Sequence, residues 1–301
     1  MKLVGITMMT NPEARQDPWS ECLRQMLEIC DFIVVTVGRE ADMDMVTTEM
    51  HGLMHRIRLI YIHWEQPEWC YSELPKHLNP ALQCAKDLGA DWVVRFDTDC
   101  FIHELEREKL RSALEKMPEN IKVACLNKRQ FFLGTTALEK TKVPIVVRGN
   151  SEVWYGMEIG RYTDLLQPII LKKGVTHKYN SQGVNPVPLG EAVKKEDVGQ
   201  TGCTVWNYDY TFKTLEKSTE LLYWWDIAHA KFWGTSYQGR NISEVTRETA
   251  LSDYVDVVVK SRLKNYNKSF PAELHPKHIV EKIKNITPEQ FGHSFWGKIK
   301  L

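Results

Sequence analysis

Apolar positions along this chain follow two alternating rhythms. Residues 2–8 form a short apolar run, 31–37 a second that ends at Gly38, 57–64 a third, and Trp92-Val-Val-Arg-Phe96 a fourth. Consecutive apolar residues over such short lengths are what strands covered on both faces require. Between the runs the spacing changes. Trp19, Cys22, Leu23, Met26, Leu27 and Cys30 recur at three- and four-residue intervals, which predicts a helix of about three turns. Leu78, Leu82, Ala85 and Leu88 predict another, with Asn79 as its cap, Pro80 in its first turn and Gly89 as its stop. Residues 40–56 are Met-rich and suit a poorly amphipathic helix. This β-α-β-α-β alternation predicts an α/β fold with a Rossmann-like, mostly parallel sheet flanked by helices. No G-x-G-x-x-G follows the first run, which disfavours a dinucleotide site of the usual kind.

The pattern loosens afterwards. A helix is expected over 105–114, with short strands at 121–126, 131–133 and 143–147 building a mixed sheet. Residues 172–202 hold Lys172-Lys-Gly, Asn180-Ser-Gln-Gly183, two prolines and three further glycines, and read as a long loop of the functional kind. An aromatic-rich helix spans 215–234, and His275-Pro276 opens a last helix through Ile279, Ile283 and Ile286. The expected organisation is one domain over 1–234, with halves 1–104 and 105–234. A helical extension over 235–301 would pack back on the sheet or make a homo-oligomer contact.

Charge narrows the partners. Lys+Arg and Asp+Glu are both 39, which argues against a polyanion as the main partner, although a local basic groove would not show in the sum. No stretch reaches the roughly 20 apolar residues of a membrane span, and residues 1–7 are too strand-like for a signal peptide. Seven cysteines without a Cys-x-x-Cys pair suggest free thiols in a reducing compartment. The expected location is cytoplasmic, where the sequons at Asn241, Asn267 and Asn285 carry no meaning.

Chemistry concentrates where the fourth run ends. Asp97 and Asp99 stand one residue apart at the point where ligands of open α/β sheets bind, outside the carboxyl ends of the strands. Two carboxylates so close ask for a cation; the plain alternative is a solvated Asx turn. Glu152, Trp154 and Tyr155 alternate polar and aromatic character just past a strand and suit an acceptor pocket, or an aromatic-packed hairpin.

Helix, Gly89-Ala-Asp-Trp92, apolar strand and Asp97-Thr98-Asp99 together resemble the Asp-X-Asp segment of GT-A-fold glycosyltransferases, the family 2 type in particular. The resemblance implies Mn²⁺ or Mg²⁺ at Asp97 and Asp99. Where that family carries a His, this chain has Asn207, so Asp209 or His229 would complete the metal site. It implies donor contacts at Thr7, Asn11, Glu13, Gly38, Arg39, Glu40, Asp97 and Thr98, with Lys213 neutralising the leaving diphosphate. The Glu-Asp pair about a hundred residues on, Glu196 and Asp197, would supply the general base. The implied activity is metal-dependent, inverting sugar transfer from a nucleotide-sugar, UDP-linked by family precedent. The acceptor hydroxyl would belong to a saccharide or to a hydroxymethylated pyrimidine in phage DNA. Two rivals stay open. A nucleotidyltransferase would need a Gly-rich, basic signature that residues 7–13 lack, and a catalytically dead glycan-binding relative finds support in Asn207.

Overall fold

The apolar runs become strands, and their order creates a crevice. The computed structural model describes residues 1–64, 73–132, 136–158, 167–177, 187–209, 211–265 and 268–287. In chain order the first half holds β1 (Leu3–Met9), α1 (Trp19–Ile29), β2 (Phe32–Val37), α2 (Glu40–Glu49), β3 (Ile57–Tyr61), α3 (Glu73–Asp87), β4 (Trp92–Arg95) and β5 (Cys100–Ile102). The second half holds α4 (Arg107–Glu115), β6 (Val123–Phe132), β7 (Thr136–Arg148), β8 (Val153–Glu158), β9 (Gln167–His177), β10 (Val187–Ala192) and β11 (Val198–Asn207). It continues with α5 (Leu215–Trp233), α6 (Arg247–Asp253), α7 (Lys260–Asn265), β12 (Lys268–Ser269) and α8 (Lys277–Lys284).

The main sheet runs β3-β2-β1-β4-β7-β6-β11-β5, with β12 pairing β7. Strands β1 to β4 are mutually parallel, and β11 is parallel to β6; β7 and β5 run against their neighbours. The connections leave β1 towards β2 on one side and β4 on the other, so the strand order reverses between β1 and β4. A crevice opens at such a point, outside the carboxyl ends. One face of the sheet packs Cys22, Leu23, Met26 and Leu27 of α1; the other packs Leu78, Ala81, Leu82 and Ala85 of α3. The expected mixed α/β sheet, mostly parallel and flanked by helices, is what forms.

Several local expectations change. Helix α3 begins at Glu73 and keeps Pro80 inside. Asn79 does not cap it: its side chain donates to Tyr155 O (2.9 Å) and accepts from Tyr155 N (2.8 Å), stapling α3 to β8. Gly89 does end the segment, at φ +74. The short strands expected at 121–126, 131–133 and 143–147 are parts of the long antiparallel pair β6/β7, Leu133 lying outside the described residues. The expected loop at 172–202 is largely strand, because β9 and β10 join β8 in a closed three-stranded unit. Gly190 permits this: a Cβ there would meet Ile170 O at 2.3 Å, so only glycine lets the strands approach. Residues 178–186, with Asn180 to Gly183, lie outside the described residues.

Residues 279–286 share the main core. Ile279, Ile283 and Ile286 pack in the same cluster as Leu23 and Met26, and Lys282 pairs with Glu21 of α1 at 2.6 Å. His275 is the buried anchor. Its Nε2 faces Phe270 O at 3.1 Å and must carry the proton, since a carbonyl only accepts; Nδ1 therefore accepts from Tyr208 OH at 2.8 Å. Burial holds this imidazole down at about 4. The folded value lies below the ordinary 6.5, so this contribution to stability is complete above about pH 6.5 and is lost as pH falls towards 4. His275→Gln keeps a donor for Phe270 O and cannot titrate. Denaturant titrations at pH 7 and pH 4.5 should show the wild type losing up to about 3 kcal/mol more than this variant.

Candidate active site

The turn after β4 is built by backbone bonds and braced from below. Phe96 N donates to Ile6 O (2.9 Å), extending the parallel pairing one step past β4, and Cys100 N donates to Asp97 O (2.9 Å), closing a tight turn over Asp97-Thr98-Asp99-Cys100. Helix α1 lies beneath. The fully buried Gln25 accepts from Ile102 N and donates to Cys100 O (3.5 Å), while Cys22 Sγ reaches Asp97 O and Cys100 O at 3.5 Å. Tyr208 N donates to Asp99 O at 2.9 Å. Burial beside Asp99 and Asp97 pushes the Cys22 and Cys100 thiols well up, so they brace and do not react.

A cavity of about 260 Å³ opens over this turn, at the carboxyl ends of β1 and β4. Arg15, Asp17, Arg95, Asp97, Thr98, Asp99, Lys128 and Asp209 give it a charged half, and Met8, Trp64, Leu74, Leu78 and Trp225 an apolar one. The loop after β1 delivers Arg15 and Asp17. Asn11 (φ 46) and Gln16 (φ 59) take the left-handed conformation, and Arg15 N and Asp17 N bond back to Asn11 O and Pro12 O at 3.0 Å. Asp17 then meets Lys213 Nζ (2.6 Å), Arg15 Nε (2.9 Å) and Thr98 Oγ1 (3.1 Å). Burial alone would raise this carboxyl, but Lys213 and Arg15 overcome it and hold it at about 2.

Asp99 has the opposite balance. Burial and then the Asp209 charge raise it, Lys213 opposes, and Asp17 and Asp97 add repulsion; it sits at about 7. Its Oδ1 accepts from Asn207 Nδ2 at 2.9 Å. Burial and neighbouring carboxylates thus both disfavour a charged Asp99. Two carboxylates of one turn crowded into one cavity fit a divalent cation. Among the described residues no three His, Cys, Asp or Glu side chains gather closely enough to chelate one by themselves.

The structure sorts the expected residues. Asp97, Thr98, Asp99 and Asp209 line the cavity, and Lys213 stands behind Asp17. Gly38 shapes the neighbouring wall: a Cβ there would lie 2.6 Å from both Thr10 Oγ1 and Trp64 O. Thr7 is sealed within β1, Asn11 uses its backbone N–H on Asp42, Glu13 and Glu40 are exposed, and Arg39 pairs with Asp42 at 2.6 Å. None of these five lines the cavity. Glu196 and Asp197 precede β11, whereas the cavity lies at its far end; the strand's length separates them by roughly 25 Å. Asp197 pairs there with Lys122 (3.4 Å), as Glu152 does (2.7 Å), so neither Glu196 nor Asp197 is placed to act as base. Trp154 lies under Lys86, and Tyr155 is fully buried with its ring 5.5 Å from Arg95. Of the expected acceptor trio, Glu152 and Trp154 thus face elsewhere, and Tyr155 packs behind the cavity wall against Arg95. His229 turns Nδ1 to Thr235 O (2.6 Å), packs on Tyr237 and does not line the cavity.

Arg15, Asp17, Gln25, Arg95 and Lys128 were not expected from the sequence. Arg95 had a signal, a charge inside an otherwise apolar strand beside the Asp pair; Lys128 opens a basic pair within β6.

No family model matches the chain, and no curated protein matches it in sequence. Solved structures similar to it include residues 1–349 of S. aureus TarS in complex with UDP, at 12% identity and TM-score 0.38, covering 94% of this chain and 78% of that one. Another is the galactosyltransferase LgtC with donor and acceptor sugar analogues (12%, 0.26, covering 41% and 46%). A third is CMP:2-keto-3-deoxy-manno-octonic acid synthetase with CTP (12%, 0.31, covering 50% and 75%). The chain spans only 51–59% of the length of some other structures it is similar to. TarS and LgtC are glycosyltransferases and the synthetase is a nucleotidyltransferase, all at low identity, and a mannose-6-phosphate isomerase from Helicobacter pylori is also among the similar structures. At such TM-scores nothing about substrate or chemistry follows from them.

Two substitutions test the site's electrostatics. Asp17→Ala strands the Lys213 ammonium, which is 3% exposed, and should cost about 3–5 kcal/mol in a denaturant titration. Asp99→Asn should act in the opposite sense without metal. The folded value of Asp99 lies above its ordinary one, so this group costs stability as pH rises from about 4 to 7. The variant's melting temperature should exceed the wild type's by a few degrees at pH 8 in chelator, and the gap should shrink at pH 5.

Proposed function

We propose that this chain is a divalent-metal-dependent glycosyltransferase that takes its sugar from a nucleotide diphosphate donor. The observation that carries the reading is the meeting of Asp97 and Asp99 with Arg15, Arg95 and Lys128 in one cavity at the reversal of strand order. Formal charge agrees. Arg15, Arg95, Lys128 and the buried Lys213 offset Asp17, Asp97, Asp99 and Asp209, so a divalent cation leaves the site doubly positive. The diphosphate of a nucleotide-sugar restores neutrality.

Asp97 and Asp99 would hold Mn²⁺ or Mg²⁺, which supplies Lewis-acid screening of the leaving diphosphate. Arg15 and Arg95 reach phosphate oxygens from the β1 and β4 side and Lys128 from the β6 side, with donors fixed before charge develops. Trp64, Leu74, Leu78 and Trp225 exclude water and offer an apolar seat for the nucleoside. Asp209, held by Gln130 Nε2 at 3.5 Å and Arg262 at 3.7 Å, is the lining carboxylate left once Asp97 and Asp99 take the cation and Asp17 its cations, and is assigned to take the acceptor hydroxyl's proton. The acceptor is read as a saccharide; equal totals of acidic and basic residues give no excess for a nucleic-acid backbone.

A donor screen tests this. With Mn²⁺ and a panel of UDP-, GDP- and CMP-sugars, one donor should be hydrolysed slowly, and Asp97→Asn and Asp99→Asn should each reduce the rate at least ~100-fold. Asp209→Asn should lower acceptor-dependent kcat and leave donor binding in place. Turnover of no donor overturns the proposal. Pyrophosphate release from a nucleoside triphosphate and a sugar phosphate would replace it with nucleotidyl transfer.

A further inference from the structure

Asn207, the last residue of β11, is 3% exposed and uses only half of its carboxamide. Nδ2 donates to Asp99 Oδ1 at 2.9 Å and lies 3.4 Å from Cys100 Sγ; Oδ1 is buried with no hydrogen-bond partner. With Asp99 ionised, as a cation would hold it, this orientation is set, because a flipped amide would place Oδ1 against an Asp99 oxygen. Buried carbonyl oxygens are almost always paired, so one left open in a cavity wall points to something that binds there.

The neighbouring acids are committed elsewhere. Asp17 is taken by Lys213, Arg15 and Thr98, and Asp209 is assigned above to the acceptor's proton. Asp97 and Asp99 are the carboxylates left for a cation, and two ligands do not make a site. We propose that Asn207 Oδ1 is the neutral third protein ligand of the cation held by Asp97 and Asp99, giving an all-oxygen donor set suited to Mg²⁺ and Mn²⁺. A neutral oxygen suits this place because a third carboxylate would add repulsion to a crowded cluster. Without a ring nitrogen, the set also offers little to softer ions. The inference rests on the metal-dependent reading above and names the ligand that completes it.

The test is Mn²⁺ titration of the full chain followed by electron paramagnetic resonance, with electron spin-echo modulation to detect nitrogen bound directly to the ion. Wild-type protein should bind Mn²⁺ with no directly coordinated ¹⁴N. Asn207→Leu should weaken Mn²⁺ about 10–100-fold. Asn207→His should gain a coordinated ¹⁴N and raise Zn²⁺ affinity relative to Mn²⁺ by about tenfold or more. Wild-type Mn²⁺ binding with a coordinated nitrogen, or equal Mn²⁺ affinity in a folded Asn207→Leu variant, overturns the assignment of Asn207 alone. If neither variant folds, the wild-type spectrum still decides. Wild-type protein that binds no Mn²⁺ removes the cation itself, and with it the metal step of the proposed function.

Discussion

The Asp17–Lys213 pair joins parts of the chain 196 residues apart, and both side chains are under 5% exposed. It fastens the loop after β1 to the segment after β11, and Thr214 N donating to Gln16 Oε1 at 2.7 Å runs beside it. Two charges taken this far from water hold together only with good geometry and further bonds to their remaining atoms. Arg15 and Thr98 supply those bonds to Asp17. The same contacts put Arg15 into the cavity and tie Thr98, between the two candidate ligands, to the opposite wall. The pair therefore sets the width of the site as well as the closure of the fold.

The first half of the fold was legible because buried parallel strands and amphipathic helices write their periods plainly. Phe32–Val37 and the α1 stripe ending at Ile29 fell within a residue or two of expectation. The second half was not, for a physical reason. β9 and β10 belong to a small unit with little core of its own, so Lys172 and Lys173 with glycines and prolines read as loop. Their strand character comes from pairing with β8 and from the close approach at Gly190, which a one-dimensional pattern does not record. Asn79 failed similarly: the residue type fits a cap, but a tertiary partner, the Tyr155 backbone, claimed its side chain.

The site divides along the same line. Asp97 and Asp99 were legible because a local motif sits where topology puts ligands. Asp197 was misread because sequence spacing cannot tell which end of the coming strand a residue occupies. It stands before β11, Asn207 stands at the other end, and only Asn207 reaches the cavity. Asp17 and Gln25 were invisible since nothing local marks them; each matters through a partner far away in sequence.

What the surrounding residues do explains how such a site can exist in a folded chain. Asp99 is buried among Asp209, Asp17 and Asp97, an arrangement that favours opening the cluster. The turn cannot open cheaply, because Asp97 O, Cys100 O and Ile102 N are bonded to Cys22 and Gln25, and Asp99 O to Tyr208 N. Releasing the turn would strand those groups inside the core, each at a cost of about 1–3 kcal/mol. Tyr208 is itself held by His275, so the C-terminal segment helps fix the backbone of Asp99. Repulsion among the carboxylates is thus opposed twice, by the cations Lys213, Arg15, Arg95 and Lys128 around them and by neutral hydrogen bonds that pin the backbone of the turn.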